Sequence, residues 1–219
     1  VFLSFILSFP LGAAGSLQVT ETEKAISIRR GDLMVLTYHK AEVPPPEKAD
    51  PIYKRSGFIH PLCAPNGEPV TGIHPADHYH HLGLWHAWVK TKHGKDAPDF
   101  WNLRGSTGRV RYVKTIVLHE GSDEDPAVGF VVEQEQVAYK GPDQKETVVL
   151  KEQFGIRMEY VDGENRVGYR IKQTNVSSES PAALSRMLAQ LRPPPRNVTV
   201  LLVGCAPRTS CRARAAAAR

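Results

Sequence analysis

Between Arg109 and Val176 almost every stretch of chain carries the period of a half-buried β-strand. RVRYVKTIVLHE, AVGFVVEQEQVAY, ETVVLKEQFGIRMEY and NRVGYRIKQTN alternate apolar with polar residues or run β-branched. Turn formers separate them, at Gly121 to Pro126, Gly141-Pro142-Asp143 and Asp162-Gly163-Glu164. Strands at that spacing, with no helical pattern between them, predict an antiparallel meander rather than a parallel sheet with crossover helices. The same signals occur upstream. Ile26 and Ile28 alternate with polar residues, Gly31-Asp32 makes a turn, and Leu33 to Tyr38 returns as the second arm of a hairpin. GFIHPL and LGLWHAWVK read as further strands. The latter puts Leu82, Leu84, His86 and Trp88 on one face and Gly83, Trp85, Ala87 and Val89 on the other. Helix signals are nearly absent before Ala182; from Ala182 to Leu191 the pattern predicts a short helix, and Val198 to Val203 a short strand. The expected fold class is all-β, a large antiparallel β-sandwich.

The ends of the chain differ from this body. The run VFLSFILSFPL is too short to span a bilayer, and the small residues Gly12 to Ser16 after it suit a cleavage site, so residues 1–16 read as the remnant of a signal peptide. The expected location is secreted or periplasmic. Residues 17–180 form the expected sandwich domain. Residues 181–219 are an Arg/Ala/Pro-rich tail with seven arginines, no lysine and no acid, expected to be disordered or foreign to the fold. The net charge of +5, less the tail's +7, leaves the first 180 residues at −2. A nearly neutral body excludes the basic footprint that nucleic-acid binding needs. The three cysteines, Cys63, Cys205 and Cys211, contain no CxxC pair, so neither a thiolate zinc site nor a disulfide framework is indicated.

Seven of the nine histidines fall between His60 and His93, in a window that also holds Trp85, Trp88 and Trp101. Imidazole is a near-neutral proton exchanger and a good metal ligand. As an acid/base and sugar-binding site, the histidines would hold hydroxyls while a tryptophan face stacks on a pyranose. As a zinc or copper site, His78 and His80 would lie on one side of an extended segment, with His74, His86 or Asp77 completing the shell. The cupin-type pattern of His-x-His followed shortly by Glu does not apply, because no Glu follows His80 until Glu120. A non-catalytic interaction domain, with satisfied core and loop histidines, is the third reading.

The stretch YKRSGFIHPLCAPNGEPVTGIHPADHYHHLGLWHAW, with DFWN at Asp99 to Asn102, resembles the bacterial family labelled "methane oxygenase PmoA". Arg55 to Leu62, Pro65 to Thr71, Pro75 to Trp85 and Asp99 to Trp101 carry the resemblance. It implies an exported protein with a β-rich, galactose-mutarotase-like supersandwich. In that fold a histidine acid and a carboxylate base act on a sugar ring. By that analogy the candidate catalytic groups are His78, His80 and His81, and the candidate ligand-binding groups His60, His74, Asp77, Trp85, His86, Trp88 and Arg55. The metal alternative uses His78, His80 and His86 with zinc or copper; otherwise no cofactor is expected. The expected partner is a small molecule or carbohydrate. The family's later Gly-Gly-Phe-type segment has no counterpart after Val176, so the sandwich is expected to be truncated on its C-terminal side.

Overall fold

The computed structural model describes residues 16–89, 91–140 and 145–175, of which 140 and 169–175 as backbone alone, together with the backbone of two later strands at 184–189 and 198–203. Residues 1–15, and with them the signal-peptide reading, lie outside the described residues, as does most of the tail, including Cys205 and Cys211.

Two meanders face each other. The first sheet runs in chain order through β1 (Leu17–Glu21), β2 (Ala25–Arg30), β3 (Leu33–His39), β4 (Phe58–Leu62) and β5 (Leu84–Val89), all antiparallel. The second runs through β6 (Gly108–His119), β7 (Val128–Lys140), β8 (Lys145–Val161) and β9 (Glu164–Asn175), also antiparallel. Strand β10 (Leu184–Ala189) adds antiparallel to β5, and β11 (Val198–Val203) adds parallel to β9. The segment expected as a helix near Ala182 to Leu191 is therefore strand where it is described. Pairing with β5 overrides its local propensity, which is a weak prior beside tertiary context. Among the described residues the helical elements are two single 3₁₀ turns, Pro51–Tyr53 and Leu103–Gly105. The all-β expectation holds.

Alternation explains the packing. Along β7 the inward positions are Val128, Phe130 and Val132, and along β8 they are Phe154, Ile156 and Met158. These pack against Ile26, Ile28, Leu36, Tyr38 and Ile59 of the first sheet in one apolar cluster. Tyr38 sits with its ring centroid 5.2 Å from Phe130 and 6.1 Å from Phe154. A second apolar cluster joins Phe58, Leu82, Trp85, Ala87, Phe100, Trp101, Val110, Ala138, Val149 and Leu150.

Between the two clusters the inward phase of the second sheet turns polar. Gln134 and Gln136 of β7 and Glu152 of β8 keep the same alternation, with Gln134 directly opposite Glu152 in the ladder, and all three are fully buried. A polar belt thus crosses the middle of the sandwich.

Candidate functional site

The histidine-rich loop is built from two successive turns. His78 N–H donates to Pro75 O at 2.9 Å, His81 N–H to His78 O at 2.9 Å, and His74 N–H to His81 O at 2.8 Å. Gly83 then enters β5 at φ 54°, and a Cβ there would collide with the Ile59 carbonyl, so only glycine lets the loop close onto β4. The turns gather three imidazoles. Ring centroids are 4.9 Å apart for His78 and His81, 4.4 Å for His80 and His81, and 5.7 Å for His78 and His80. His80 and His81 stand edge-on to Trp101, at 6.4 and 6.0 Å.

Beneath the loop lies a stack. Trp101 packs on Trp85 at 4.2 Å, and the Arg55 guanidinium carbon sits 3.9 Å from the Trp85 ring centroid. Two groups that close to one ring occupy opposite faces, so Trp85 is sandwiched between them. Asp99 holds Trp101 in place: its Oδ1 accepts the backbone N–H of Trp101 at 2.8 Å and of Asn102 at 3.0 Å, an Asx turn. Both tryptophans are buried, at 8% and 1% exposure. The expected stacking platform at Trp85 is therefore occupied by the protein itself.

Burial sets the charge of the loop. His80 is held down to about 4, first by desolvation, then by the neighbouring His81 and His78, with Asp99 acting in the opposite sense. His81 is lowered by burial and by His78, against Asp77. His74 is lowered by burial, against a hydrogen bond in which its Nδ1 donates to Tyr79 O at 2.6 Å. At neutral pH these three are uncharged imidazoles, each able to donate at one nitrogen and accept at the other. Asp77 and His78 form an exposed pair, Nδ1 to Oδ2 at 2.9 Å.

The other predicted residues go elsewhere. His60 bonds through Nδ1 with Thr71 Oγ1 at 3.0 Å and through its carbonyl with His39. His86 turns into the polar belt, where Nδ1 meets Glu152 Oε2 at 2.8 Å. Glu152 also receives the Gln134 and Gln136 amides at 3.4 and 3.3 Å. Trp88 packs edge-on to His86 at 6.1 Å, and its backbone N–H donates to Gln136 Oε1 at 3.4 Å. The structure thus assembles His78, His80 and His81 and parts them from His86, so the alternative set His78, His80 and His86 does not come together. Among the described residues no three His, Cys, Asp or Glu side chains are disposed to hold a metal ion. Parallel rings such as His78 and His81, 11° apart, aim their in-plane lone pairs along separate planes. A cavity of about 760 Å³ lies at the other end of the sandwich, lined by Leu17, Glu120 to Ala127, Arg157 and Glu159 to Val161, and no histidine borders it.

Sequence reasoning missed Glu152, Gln134 and Gln136. Their signal was present as polar residues falling on the inward phase of two otherwise apolar strands.

Over residues 25–184 the chain matches the profile of DUF6807, a family of unknown function. It belongs to that family. The resemblance to the PmoA-labelled family is corrected by this match: it rested on motifs between Arg55 and Trp101, whereas the DUF6807 profile spans residues 25–184. No curated protein and no solved structure matches the chain. No helix among the described residues is long and apolar enough to cross a membrane.

Proposed function

We propose that this DUF6807 member is an exported protein that binds a sugar at the His78–His80–His81 loop. The observation that carries the reading is the group of three imidazoles within 4.4–5.7 Å of one another, of which His80 and His81 are held neutral by partial burial. Neutral imidazoles present paired donors and acceptors without demanding a counter-ion, which suits hydroxyl groups rather than phosphates or carboxylates. The half-buried Tyr79 in the same loop, tilted against Tyr53 at 5.8 Å, supplies an apolar face in place of the occupied Trp85. A neutral imidazole beside a sugar hydroxyl is also a competent general base, and the Asp77 carboxylate, 2.9 Å from His78 Nδ1, helps to orient that ring. Export is supported by the apolar run Val1 to Leu11 followed by small residues.

The test is calorimetric titration with a panel of neutral mono- and oligosaccharides, using the full chain and its His80→Ala and His81→Ala variants. At least one sugar binds, and each variant weakens it about tenfold, the loss expected for one or two hydrogen bonds. Absence of binding across the panel, or affinity unchanged in both variants, overturns the reading. Tight zinc or copper binding abolished by the same substitutions replaces it with a metal site.

A further inference from the structure

Arg55 is 2% exposed and so does not meet a ligand itself, but it touches both pieces of chain that carry the tryptophan stack. Its backbone is pinned first: Arg55 N–H donates to Val43 O at 3.2 Å, and Val43 N–H donates to Arg55 O at 2.8 Å. From that fixed base the side chain reaches two carbonyls. Nη2 donates to His86 O at 3.3 Å and Nη1 to Phe100 O at 3.5 Å. His86 follows Trp85 in β5, and Phe100 precedes Trp101. One guanidinium therefore ties together the backbones on which both indoles are mounted, while its central carbon lies 3.9 Å from the Trp85 ring centroid. The Glu152 charge favours its cationic form.

The stack continues outward from there. Trp101 lies 4.2 Å from Trp85 with ring planes 29° apart, and His81 and His80 stand 6.0 and 6.4 Å from Trp101. Arginine suits the base of such a column better than lysine. A planar fork donates to two carbonyls while it lies on an aromatic ring, whereas an ammonium is a compact point charge that holds its water tightly. Trp85, clamped between a cation and an indole in a close-packed interior, transmits its position to Trp101 and so to the imidazoles. Arg55 also acts on the loop at a distance. The groups in the field of His80 are His81, His78, Asp99 and Arg55, and the Arg55 cation joins the two imidazoles in opposing protonation, against Asp99.

We propose that Arg55 is a positioning residue of the imidazole loop, acting through Trp85 and Trp101 to hold His80 and His81 in their binding arrangement. The proposal deepens the sugar-binding reading and rests on it for the ligand alone, because the arrangement of the loop belongs to the unliganded chain. Hydrogen-bonding groups select a ligand only when their own positions are held to about 0.5 Å by the packing behind them. Two successive turns with half-open imidazoles do not supply that by themselves. A buried indole fixed from below does.

NMR of the histidine ring protons in the full chain, without ligand, tests it with two variants. Arg55→Lys keeps the charge and loses the fork. The double variant Arg55→Met with Glu152→Gln removes both buried charges together, so that neither is left without its counter-charge, and it decides alone should the lysine variant fail to fold. In each, the His80 and His81 ring protons move toward their positions in the unfolded chain as they lose the Trp101 ring. Those of His119, at the far end of β6 beside Asp125, stay where they were. The titration of His80 moves up in Arg55→Lys as the ring gains solvent, and further up in the double variant, where the opposing cation is gone as well. Sugar affinity, measured by calorimetry, falls about tenfold in Arg55→Lys. Unchanged His80 and His81 signals, a displacement of His119 as large as theirs, or a sugar affinity untouched by Arg55→Lys overturns the proposal. A chain that binds no sugar removes the sugar-binding reading instead, and the ring shifts then decide the positioning by themselves.

Discussion

The chain keeps its histidines in two contrasting environments. In the loop, His78, His80 and His81 lean on one another and on Trp101, half open to solvent, and their company is other imidazoles. In the belt, His86 is 5% exposed and its company is a carboxylate, with two glutamine amides closing the shell. A carboxylate only accepts hydrogen bonds, so His86 Nδ1 donates to Glu152 and the ring is held in one orientation. Of the loop histidines, His78 also meets a carboxylate, but its Asp77 partner is exposed, and His80 and His81 lean only on imidazoles and Trp101. One arrangement belongs to the architecture, while the other leaves its nitrogens for something else to use. That difference, more than the number of histidines, points to the loop as the site.

The comparison breaks most forcefully at Glu152. Replacing it with Ala strips the acceptor from His86, Gln134 and Gln136 and leaves the Arg55 cation buried without a counter-charge. A loss of about 3–5 kcal/mol in urea denaturation is expected, the range for breaking a buried charged pair from one side. A loss below about 1 kcal/mol would show that the belt is wet enough to screen its own charges, and would remove the distinction between the two histidine environments.

The strands were legible because each satisfies local pattern and burial together. The runs from Arg109 onward became β6 to β9 with little change, and the Gly31-Asp32 turn joins β2 to β3, Gly31 at φ 57°. The belt was not legible, because EQEQ in β7 reads as an ordinary solvent face until one fixes the phase from Val128, Phe130 and Val132 and finds Gln134 and Gln136 pointing inward. The loop was only partly legible. Proximity in sequence brought out His78, His80 and His81, but put His86 with them, although its side chain points into the interior to Glu152. The blocking of Trp85 was beyond the sequence altogether, since Arg55 and Trp101 approach it from segments thirty residues upstream and sixteen downstream.

A second effect, of intermediate size, follows from protonation. His80 binds its proton near 4 in the folded chain and near the ordinary 6.5 when unfolded. Between those values the unfolded chain binds more protons, so stability rises with pH through that window and levels off above it. His39, His74 and His81 are shifted in the same direction and add to the slope. Solvent around the half-exposed His80 keeps its share below what the full shift implies. Denaturation midpoints at pH 4.5 and 7.5 (about two units below and one above the unfolded value) give the slope, and His80→Gln should flatten it without abolishing it. An unchanged slope in the variant would mean that the loop histidines sit in water rather than against Trp101.

The smallest effect is expected at Asp77. Its side chain is 79% exposed and that of His78 50%, so their 2.9 Å contact forms in water. Exposed pairs of this kind contribute little to stability, and Asp77→Asn should leave the denaturation midpoint where it was. It should still be felt within the loop. The Asp77 charge raises the proton affinity of His81, in opposition to burial and to His78. Removing that charge while keeping the shape leaves the lowering influences unopposed, so the titration of His81, followed through its ring protons by NMR, should move further down. His86 lies beyond the tryptophan stack with its own carboxylate and should show no change in its ring signals. A shift at His81 with none at His86 would confirm that the two environments are electrically separate. Movement of both together would show that one field spans loop and belt, and that the loop histidines are tied into the architecture no less firmly than His86.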